Sequence, residues 1–206
     1  MMREAGSLGR QPGAVFLDKD GTLLEDVPDN VDLGRLCLTA GARAGMELLI
    51  GSGYRLIVVT NQGGIARGRI DEPHFLRLRR YLLEVLPLTD LYYCPHDPAG
   101  WVQSYAIPCA CRKPAPGLLL RACAEHGIDP GRSWMVSDIL DDVEAGRRAG
   151  CRTILLNVGH ETAWRRSALR RPDHLAPDLG QAARLIVREE KAEASLGFEY
   201  GLARGE

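Results

Sequence analysis

Carboxylates follow two short apolar runs of this sequence. Asp18 and Asp20 come directly after "AVFL", within "DKDGT", and Asp138 comes directly after "SWMVS". Residues two apart on a strand point the same way, so Asp18 and Asp20 are expected to enter one pocket. Two carboxylates in one pocket suit Mg²⁺ binding and acid–base catalysis. Asp and Gly are also ordinary turn residues, so a solvated turn explains this short motif about equally well by itself.

Two other motifs suit an anion. "TNQGG" ends an apolar run with the hydroxyl of Thr60 and then turns, which can aim backbone N–H groups from Asn61 onward at an anion. "RKP" supplies Lys113, whose charge can neutralise a transferring phosphoryl group. Each of these motifs alone is explained about as well by a surface loop.

The segment "SDILDD" contains three acidic residues with different expected roles. Asp138 is expected to be the remaining protein ligand of Mg²⁺, and Asp142 to hold the loop or a water of the outer coordination shell. Asp141 is expected only to favour a first helical turn.

Cysteine and histidine cluster just before "RKP". Their pattern is C-x-H-x12-C-x-C, formed by Cys94, His96, Cys109 and Cys111. Such a Cys3His set is typical of zinc, and four protein ligands leave no position for water. Zinc here would therefore be structural and would pin the loop that ends in Arg112. The alternative is an ordered loop with reduced cysteines and no metal.

Composition narrows the class of protein. The chain has 206 residues, a formal net charge of −1 and 45% hydrophobic residues. These values predict a globular protein without affinity for nucleic acid or an anionic membrane. A monomer is expected, although nothing in the sequence determines the oligomeric state. No apolar run is long enough for a membrane span, and the beginning lacks the apolar region of a secretory signal. A reducing cytoplasm is the expected location, with a secreted disulfide protein as the alternative.

Residues outside the motifs have plainer expectations. Cys37, Cys123 and Cys151 lie in or beside apolar segments and are expected to be small core residues. The histidines outside the cysteine pattern, His74, His126, His160 and His174, lack paired metal-ligand spacing and are expected to be surface or capping residues.

Hydrophobic periodicity predicts alternating strands and helices. Strands are expected at 14–17, 54–60, 91–94, 133–137 and 152–157, and helices at 44–50, 72–86, 116–127, 141–149 and 178–190. This alternation indicates an α/β fold with a mostly parallel sheet covered on both faces. Such sheets bind ligands beyond the carboxyl ends of their strands, where the motifs above fall.

Taken together, Asp-x-Asp-Gly-Thr, the strand-final Thr, the Lys and Ser-Asp-x-x-x-Asp resemble the haloacid dehalogenase (HAD) phosphatase superfamily. The resemblance covers about residues 14 to 190. "VVTNQGGIARG", "YYCPHDP" and "CACRKPAPG" are similar to the bacterial branch that contains heptose bisphosphate phosphatases and histidinol phosphatases. The resemblance implies a Rossmann-like three-layer sandwich in a single domain, residues 12–190, with tails at 1–11 and 191–206.

The resemblance implies a role for each motif residue. Asp18 would be the nucleophile that forms an aspartyl-phosphate, and Asp20 the general acid and base. Thr60 and Asn61 would hold the phosphoryl oxygens. The remaining roles are Mg²⁺ binding by Asp18, Asp20 and Asp138, phosphoryl binding by Lys113, substrate binding by Arg112, and structural zinc binding by Cys94, His96, Cys109 and Cys111.

Substrate selection is expected to depend on loops. The intervals from Asp20 to Thr60 and from Thr60 to Lys113 are too short for the cap domain that many HAD proteins insert there. The implied substrate is a small phosphorylated sugar, a heptose bisphosphate first, with histidinol phosphate or another sugar phosphate as the alternative.

The chain departs from the heptose phosphatase pattern at three positions. Leu24 stands where Asn is common, Ser137 where Gly is usual, and Ile139 where Lys is frequent. The expected phosphatase chemistry does not depend on these positions, but the choice of substrate does.

Two non-enzymatic classes remain as rivals. A phospho-acceptor signalling domain also uses Asp, Mg²⁺, Thr and Lys on a parallel sheet, but it carries its acidic pair and its acceptor on different strands. A silent, zinc-stabilised binding module has no need of Asp18, Asp20, Lys113 and Asp138 together. Both fit the sequence less well than a phosphatase.

Overall fold

A six-stranded parallel sheet forms the centre of the protein. The computed structural model describes residues 13–162, 164, 165 and 167–202, and in the last helix the side chains up to residue 193 and at 195. The strands are β1 (Ala14–Leu17), β2 (Arg55–Asn61), β3 (Asp90–Cys94), β4 (Trp134–Ser137), β5 (Arg152–Leu156) and β6 (His174–Ala176).

The strand order creates one natural place for a ligand. The order across the sheet is β3-β2-β1-β4-β5-β6, so the chain moves outward from β1 to β3 and then returns to the other side of β1 for β4. Loops that leave β1 and β4 therefore run in opposite directions and open a crevice at the carboxyl ends of these strands. Asp18 directly follows β1, and Asp138 directly follows β4.

Helices cover both faces of the sheet. They are α1 (Ala42–Gly51), α2 (Gly63–Ala66), α3 (Glu72–Val85), α4 (Gly117–His126), α5 (Leu140–Ala149) and α6 (Leu179–Leu202). Short 3-10 helices occupy Leu33–Arg35, Pro130–Arg132 and Ala168–Arg170.

The alternation of side chains along β1 explains the three layers. Val15 and Leu17 belong to a hydrophobic cluster with residues of α1, α3 and α6, whereas Ala14 and Phe16 belong to one with residues of α4 and α5. All four side chains are fully buried. Each large apolar side chain buried in this way stabilises the fold by about 1.5–3 kcal/mol.

The predicted elements are confirmed with small shifts. The first five strands begin and end within one residue of the prediction, and α1, α3, α4 and α5 within two. The sequence reading missed β6 and α2, which are three and four residues long. The last helix runs well past the predicted residue 190, through part of the segment predicted as a tail. The predicted tail at 1–11 and the end at 203–206 lie outside the described residues.

The prediction that Cys37 lies in the core is wrong, because its side chain is exposed. Leu36 and Leu38 pack against the core, and Leu36 has extended backbone angles. Neighbouring side chains of an extended segment point to opposite sides, so Cys37 faces solvent. Cys123 and Cys151 are buried, as predicted.

Neither interval considered for a cap domain contains one within the described chain. Between Asp20 and Thr60 lie a 3-10 helix and α1, and between Thr60 and Lys113 lie α2, α3, β3 and the cysteine loop. The crevice is therefore bordered by loops. None of the helices in the described part of the chain has the length and hydropathy needed to span a membrane.

Candidate active site

One cavity at the carboxyl ends of β1, β2 and β4 collects the predicted catalytic residues. Its volume is about 250 Å³. The residues that line it are Asp18, Asp20, Asp26, Thr60, Asn61, Lys113, Asp138, Ile139 and His160. Sequence reasoning named six of these nine as catalytic, phosphate-binding or metal-binding residues, so the site is assembled where the strand ends predicted it.

Lys113 is the central cation of the cavity. Its side chain is buried, and Nζ donates to Asp18 Oδ1 at 2.7 Å, to Asp142 Oδ2 at 2.6 Å and to the carbonyl of Val59 at 2.9 Å. Burial alone would lower the pKa of Lys113, but the charges of Asp142 and Asp18 raise it above its ordinary value. Lys113 therefore stays protonated and holds one oxygen of Asp18 in a fixed direction.

The backbone of Lys113 is fixed as well. Asn61 Nδ2 donates to the Lys113 carbonyl at 3.0 Å, and Asn61 Oδ1 accepts from the Lys113 N–H at 3.0 Å. These two hydrogen bonds join the end of β2 to the loop that follows the cysteines. They occupy the Asn61 side chain, so only its backbone N–H is left for the predicted phosphoryl contact.

Asp20 lies at the rim of the cavity and has polar neighbours. Lys19 forms an ion pair with Asp20 Oδ1, and Gln62 Nε2 donates to Asp20 Oδ2 at 3.3 Å. Burial raises the pKa of Asp20 above its ordinary value; Lys19 opposes this shift, and the charge of Asp18 adds to it. A carboxyl with a raised pKa is suited to carry a proton and to release it again.

Gln62 is a functional candidate that the sequence reading missed. It is buried, and its Nε2 also donates to Thr60 Oγ1 at 3.0 Å. It therefore links Asp20 to the hydroxyl predicted to hold a phosphoryl oxygen. Its position two residues after Thr60, on the same side of the strand end, was the available signal.

Asp138 is held on both carboxylate oxygens. Thr22 Oγ1 lies 3.1 Å from Oδ1, and His160 Nδ1 lies 2.8 Å from Oδ2. Burial and the charge of Asp18 raise the pKa of Asp138, and the hydrogen bond from His160 opposes the shift. His160 is exposed, as predicted, with its side chain 38% exposed, and it also lines the cavity, a position that the sequence did not predict.

Gly21 leaves room for these groups. Its φ is +74°, and a Cβ atom there would lie 2.1 Å from Asp138 Oδ2 and 2.6 Å from His160 Nδ1. Glycine is therefore required at this turn both by conformation and by space.

The donor set of the cavity suits a divalent cation. Asp18 and Asp138 are 7% and 4% exposed, so both are largely removed from water. The charge of Asp18 raises the pKa of Asp138, so a bound cation would relieve a repulsion between them. Mg²⁺ binds through one or two carboxylates and keeps several waters. The described residues fit such an ion.

Asp142 has a different partner from the one expected. Its carboxylate is fully buried and bonds to Lys113 Nζ, and it does not line the cavity. This direct ion pair was not among the predicted roles of Asp142, which were to hold the loop or a water of the outer coordination shell. Asp141 lies in the first turn of α5, as predicted.

The four predicted zinc ligands come together at one point. The Sγ atoms lie 3.0 Å apart for Cys94 and Cys111, 3.2 Å for Cys109 and Cys111, and 3.5 Å for Cys94 and Cys109. His96 Nδ1 is 3.7 Å from Cys94 Sγ and 3.3 Å from Cys111 Sγ. A zinc tetrahedron with bonds of about 2.3 Å to sulfur has edges of about 3.8 Å. The sulfur atoms lie somewhat closer together than this edge, so a small outward shift of the side chains would admit a four-coordinate zinc ion.

Arg112 bonds to the first part of the cysteine loop, just after β3. Its Nη1 donates to the His96 carbonyl at 3.0 Å, and Nη2 is 3.4 Å from Asp97 Oδ2. Arg67, which follows α2, forms an ion pair with the same Asp97 oxygen. Arg112 does not line the cavity, so its predicted contact with substrate stays a prediction.

A parallel α/β fold with acidic residues, a buried lysine and polar strand ends at its crevice has the features of a hydrolase of phosphate esters. Comparison with known sequences agrees. The model of the HAD-hydrolase-like family matches residues 110–182. The D-glycero-beta-D-manno-heptose-1,7-bisphosphate 7-phosphatase of Pasteurella multocida is 40% identical over 152 residues, which cover 71% of this chain and 82% of that protein. The protein of the same name from Escherichia coli K12 is 39% identical over 152 residues, 71% of this chain and 80% of that protein.

A solved structure agrees with the sequence relatives. The D,D-heptose 1,7-bisphosphate phosphatase of B. bronchiseptica, in complex with magnesium and phosphate, superposes with a TM-score of 0.69 at 25% identity. The superposition covers 86% of this chain and 99% of that one. The chain therefore belongs to the HAD superfamily and is one of its phosphatases.

Proposed function

We propose that this phosphatase removes the 7-phosphate of D-glycero-D-manno-heptose 1,7-bisphosphate, in a Mg²⁺-dependent reaction through an aspartyl-phosphate on Asp18. The observation that carries the chemistry is the fixed geometry of Asp18, with Lys113 Nζ 2.7 Å from Oδ1. The two relatives reported above are matched over 82% and 80% of their own length, and their names contain this substrate. They therefore support the choice of sugar.

In the first step, an oxygen of Asp18 attacks phosphorus and the bond from phosphorus to the sugar oxygen breaks. Asp20 gives its proton to the leaving sugar oxygen. In the second step, Asp20 takes a proton from water, the water oxygen attacks phosphorus, and the bond to Asp18 breaks to release inorganic phosphate. The two steps replace one difficult displacement by two easier ones.

The transferring phosphoryl group is negatively charged and needs fixed donors. Lys113, the Thr60 hydroxyl and the backbone N–H of Asn61 line the same cavity and are assigned to its oxygens. Gln62 fixes the Thr60 hydroxyl from behind. Such donors are oriented before the reaction begins, so they lower the barrier without reorganising.

Asp18, the backbone carbonyl of Asp20 and Asp138 are the residues assigned to Mg²⁺. When bound, this ion would neutralise charge on the phosphoryl oxygens. The structural role of zinc is assigned to Cys94, His96, Cys109 and Cys111, and Arg112 at the end of that loop is assigned to the substrate.

The three departures from the heptose phosphatase pattern differ in whether they can affect the substrate. Leu24 is 4% exposed and belongs to the hydrophobic core, so it does not offer a contact to substrate. Ser137 donates to the Ile139 carbonyl at 3.2 Å and stabilises its own loop. Ile139 lines the cavity and presents an apolar side chain. Histidinol phosphate, which has fewer hydroxyl groups, is therefore kept as the alternative substrate.

A cytoplasmic monomer is part of the proposal. Unpaired cysteines within metal-ligand distance of one another are typical of proteins kept under reducing conditions.

The deciding experiment measures Mg²⁺-dependent phosphate release from heptose 1,7-bisphosphate and from histidinol phosphate with one enzyme preparation. A preference for the heptose of at least about 10²-fold in kcat/KM, or about 2.7 kcal/mol, supports the proposed substrate. Comparable rates on both would refute the choice of heptose and leave the phosphatase assignment in place. Asp18→Asn is expected to lower phosphate release by at least about 10³-fold, and unchanged release would refute the nucleophile.

A further inference from the structure

His160 has no assigned role, although it lines the active-site cavity. It lies in the loop after β5, and its Nδ1 is 2.8 Å from Asp138 Oδ2. We propose that His160, together with its neighbour Glu161, positions Asp138 for binding the divalent cation. The inference rests on the proposed role of Asp138 as a Mg²⁺ ligand.

The two hydrogen bonds of the Asp138 carboxylate fix its plane. One oxygen receives the Thr22 hydroxyl, and the other receives the ring of His160. A carboxylate oxygen has two lone pairs, so each oxygen keeps one for a metal ion. Because an ionised carboxylate only accepts hydrogen bonds, the His160 nitrogen that faces it carries the hydrogen. Without His160, the carboxylate would lose its hydrogen bond at Oδ2 from a side chain and would keep the one from Thr22 at Oδ1.

Glu161, the next residue, attaches the same loop to α5. Its Oε2 accepts the backbone N–H of Leu140 at 2.7 Å, and Leu140 is the first residue of α5. Adjacent residues of one loop therefore hold the Asp138 side chain and the beginning of the helix that follows it. The first N–H groups of a helix lack partners within the helix, so this bond also stabilises α5.

The loop that carries His160 and Glu161 bonds to α5 a second time, at Arg170 and Arg171. Arg170 Nε donates to Glu144 Oε2 at 2.8 Å, and Arg147 Nε donates to the Arg171 carbonyl at 2.6 Å. Both acceptor–donor pairs join this segment to α5. The loop after β5 is thus attached to α5 at both of its ends, which is what a positioning role requires.

Gly21 lies close to both Asp138 and His160. A Cβ atom at Gly21 would collide with Asp138 Oδ2 and with His160 Nδ1 at once. The glycine of the Asp-x-Asp-Gly-Thr motif thus leaves the space in which a histidine from the other end of the chain can reach Asp138. Partners of metal ligands commonly contribute about 10–100-fold to metal affinity.

The test uses the full chain with zinc in place and Mg²⁺ removed, and Mn²⁺ as the probe. The electron paramagnetic resonance signal of free Mn²⁺ gives its Kd without any catalysis. His160→Leu removes the donor and is expected to raise this Kd by about 10–100-fold. His160→Asn places an amide N–H near the position of Nδ1 and is expected to stay within about 3-fold of the original Kd. The Mg²⁺ concentration for half-maximal phosphate release is expected to change in the same ratio.

A matched control is His74→Leu, which replaces an exposed histidine of α3 near Asp71 and is expected to leave the Kd unchanged. Unchanged Mn²⁺ affinity in His160→Leu, with weakened affinity in Asp138→Asn, would overturn the inference and leave the proposed metal site standing. Unchanged affinity in Asp138→Asn would overturn both. If His160→Leu does not fold, His160→Ser is measured instead, with the same expected result.

Discussion

Lys113 and Asp142 form a buried ion pair beneath the active site, with Nζ 2.6 Å from Oδ2 and with side chains 1% and 0% exposed. The same ammonium group reaches Asp18 Oδ1 at 2.7 Å. Asp142 therefore holds the lysine from below, while the lysine orients Asp18, the proposed nucleophile. A buried ion pair of this kind stabilises a geometry more than it stabilises the fold.

The first prediction concerns Asp142. Replacing Asp142 with Ala removes one of the two carboxylates that balance Lys113 and leaves a buried charge poorly compensated. The free energy of unfolding, measured by urea denaturation, is expected to fall by about 3–5 kcal/mol. Phosphate release is expected to fall too, because Lys113 loses its anchor.

Asp141→Ala is the matched control for this prediction. Asp141 is the neighbouring residue in the same helical turn, is 42% exposed and pairs with Arg170. Its loss is expected to cost about 0–1 kcal/mol, as for an exposed ion pair. Equal losses in the two variants would show that burial of Asp142 does not matter.

The second prediction concerns the zinc site. The four ligand atoms all lie within 4.8 Å of one another, so one zinc ion per chain is expected by elemental analysis of the purified protein. Cys109→Ser is expected to lose this ion and to loosen the loop, since zinc ligands act together. For a chain of this size, a loss of about 3 kcal/mol lowers Tm by about 6–12 °C.

Cys37→Ser provides the comparison, because Cys37 is exposed and lies outside the ligand cluster. It is expected to keep its zinc and its Tm. Retention of a full equivalent of zinc by Cys109→Ser would mean that Cys109 is not a ligand.

The sequence predicted the site well where residues follow strand ends. Asp18, Thr60 and Asp138 could be placed together because parallel strands bring their carboxyl ends to one edge of the sheet. The cysteine cluster was predictable for a different reason. A Cys3His set is recognisable by residue type without knowledge of the fold, and the resemblance to the zinc loop of the bacterial branch strengthened the prediction.

Contacts between distant loops could not be predicted in this way. His160 reaches Asp138 only because the loop after β5 turns back over the beginning of α5. Asp142 was expected to hold the loop or an outer-shell water, and its pairing with Lys113 depends on a side chain 29 residues away. Neither contact follows from a period of 2.0 or 3.6 residues, because neither lies within one strand or helix.

The short elements and Cys37 were missed for local reasons. The strand β6 has three residues, and its Leu175 is exposed, so it shows little hydrophobic alternation. Cys37 lies between two residues that pack against the core, and an apolar run does not reveal which of its members faces solvent.

The third prediction separates backbone strain from crowding at Gly21. Gly21 and Gly53 have φ values of +74° and +86°, so alanine at either position is strained. A Cβ atom at Gly53 meets nothing within 4 Å, whereas at Gly21 it would collide with Asp138. Gly53→Ala is expected to lower the free energy of unfolding by about 1–2 kcal/mol and to leave phosphate release unchanged. Gly21→Ala is expected to cost more and to abolish phosphate release.

Urea denaturation and a phosphate-release assay on both glycine variants test this prediction. Full activity of Gly21→Ala would show that Asp138 can move away without loss of function. Loss of activity in Gly53→Ala would show that strain alone explains both results.

The fourth prediction concerns stability at alkaline pH. Tyr54 is buried, and its hydroxyl donates to Glu190 Oε2 at 2.9 Å. Burial and this hydrogen bond raise the pKa of Tyr54 from 10.0 to about 12. Between these two values the unfolded chain releases the phenolic proton and the folded protein keeps it. The stabilisation is therefore complete below pH 10 and is lost as pH rises through about 12.

Tyr54→Phe removes both the hydrogen bond and this titration. At pH 8 the variant is expected to be about 1 kcal/mol less stable than the original protein, as for a lost hydrogen bond. Above pH 10 the difference is expected to shrink, because only the original protein loses the contribution of Tyr54. Urea denaturation at pH 8, 10 and 11 measures the difference directly. A difference that stays constant over this range would show that Tyr54 titrates alike in the folded and unfolded chains.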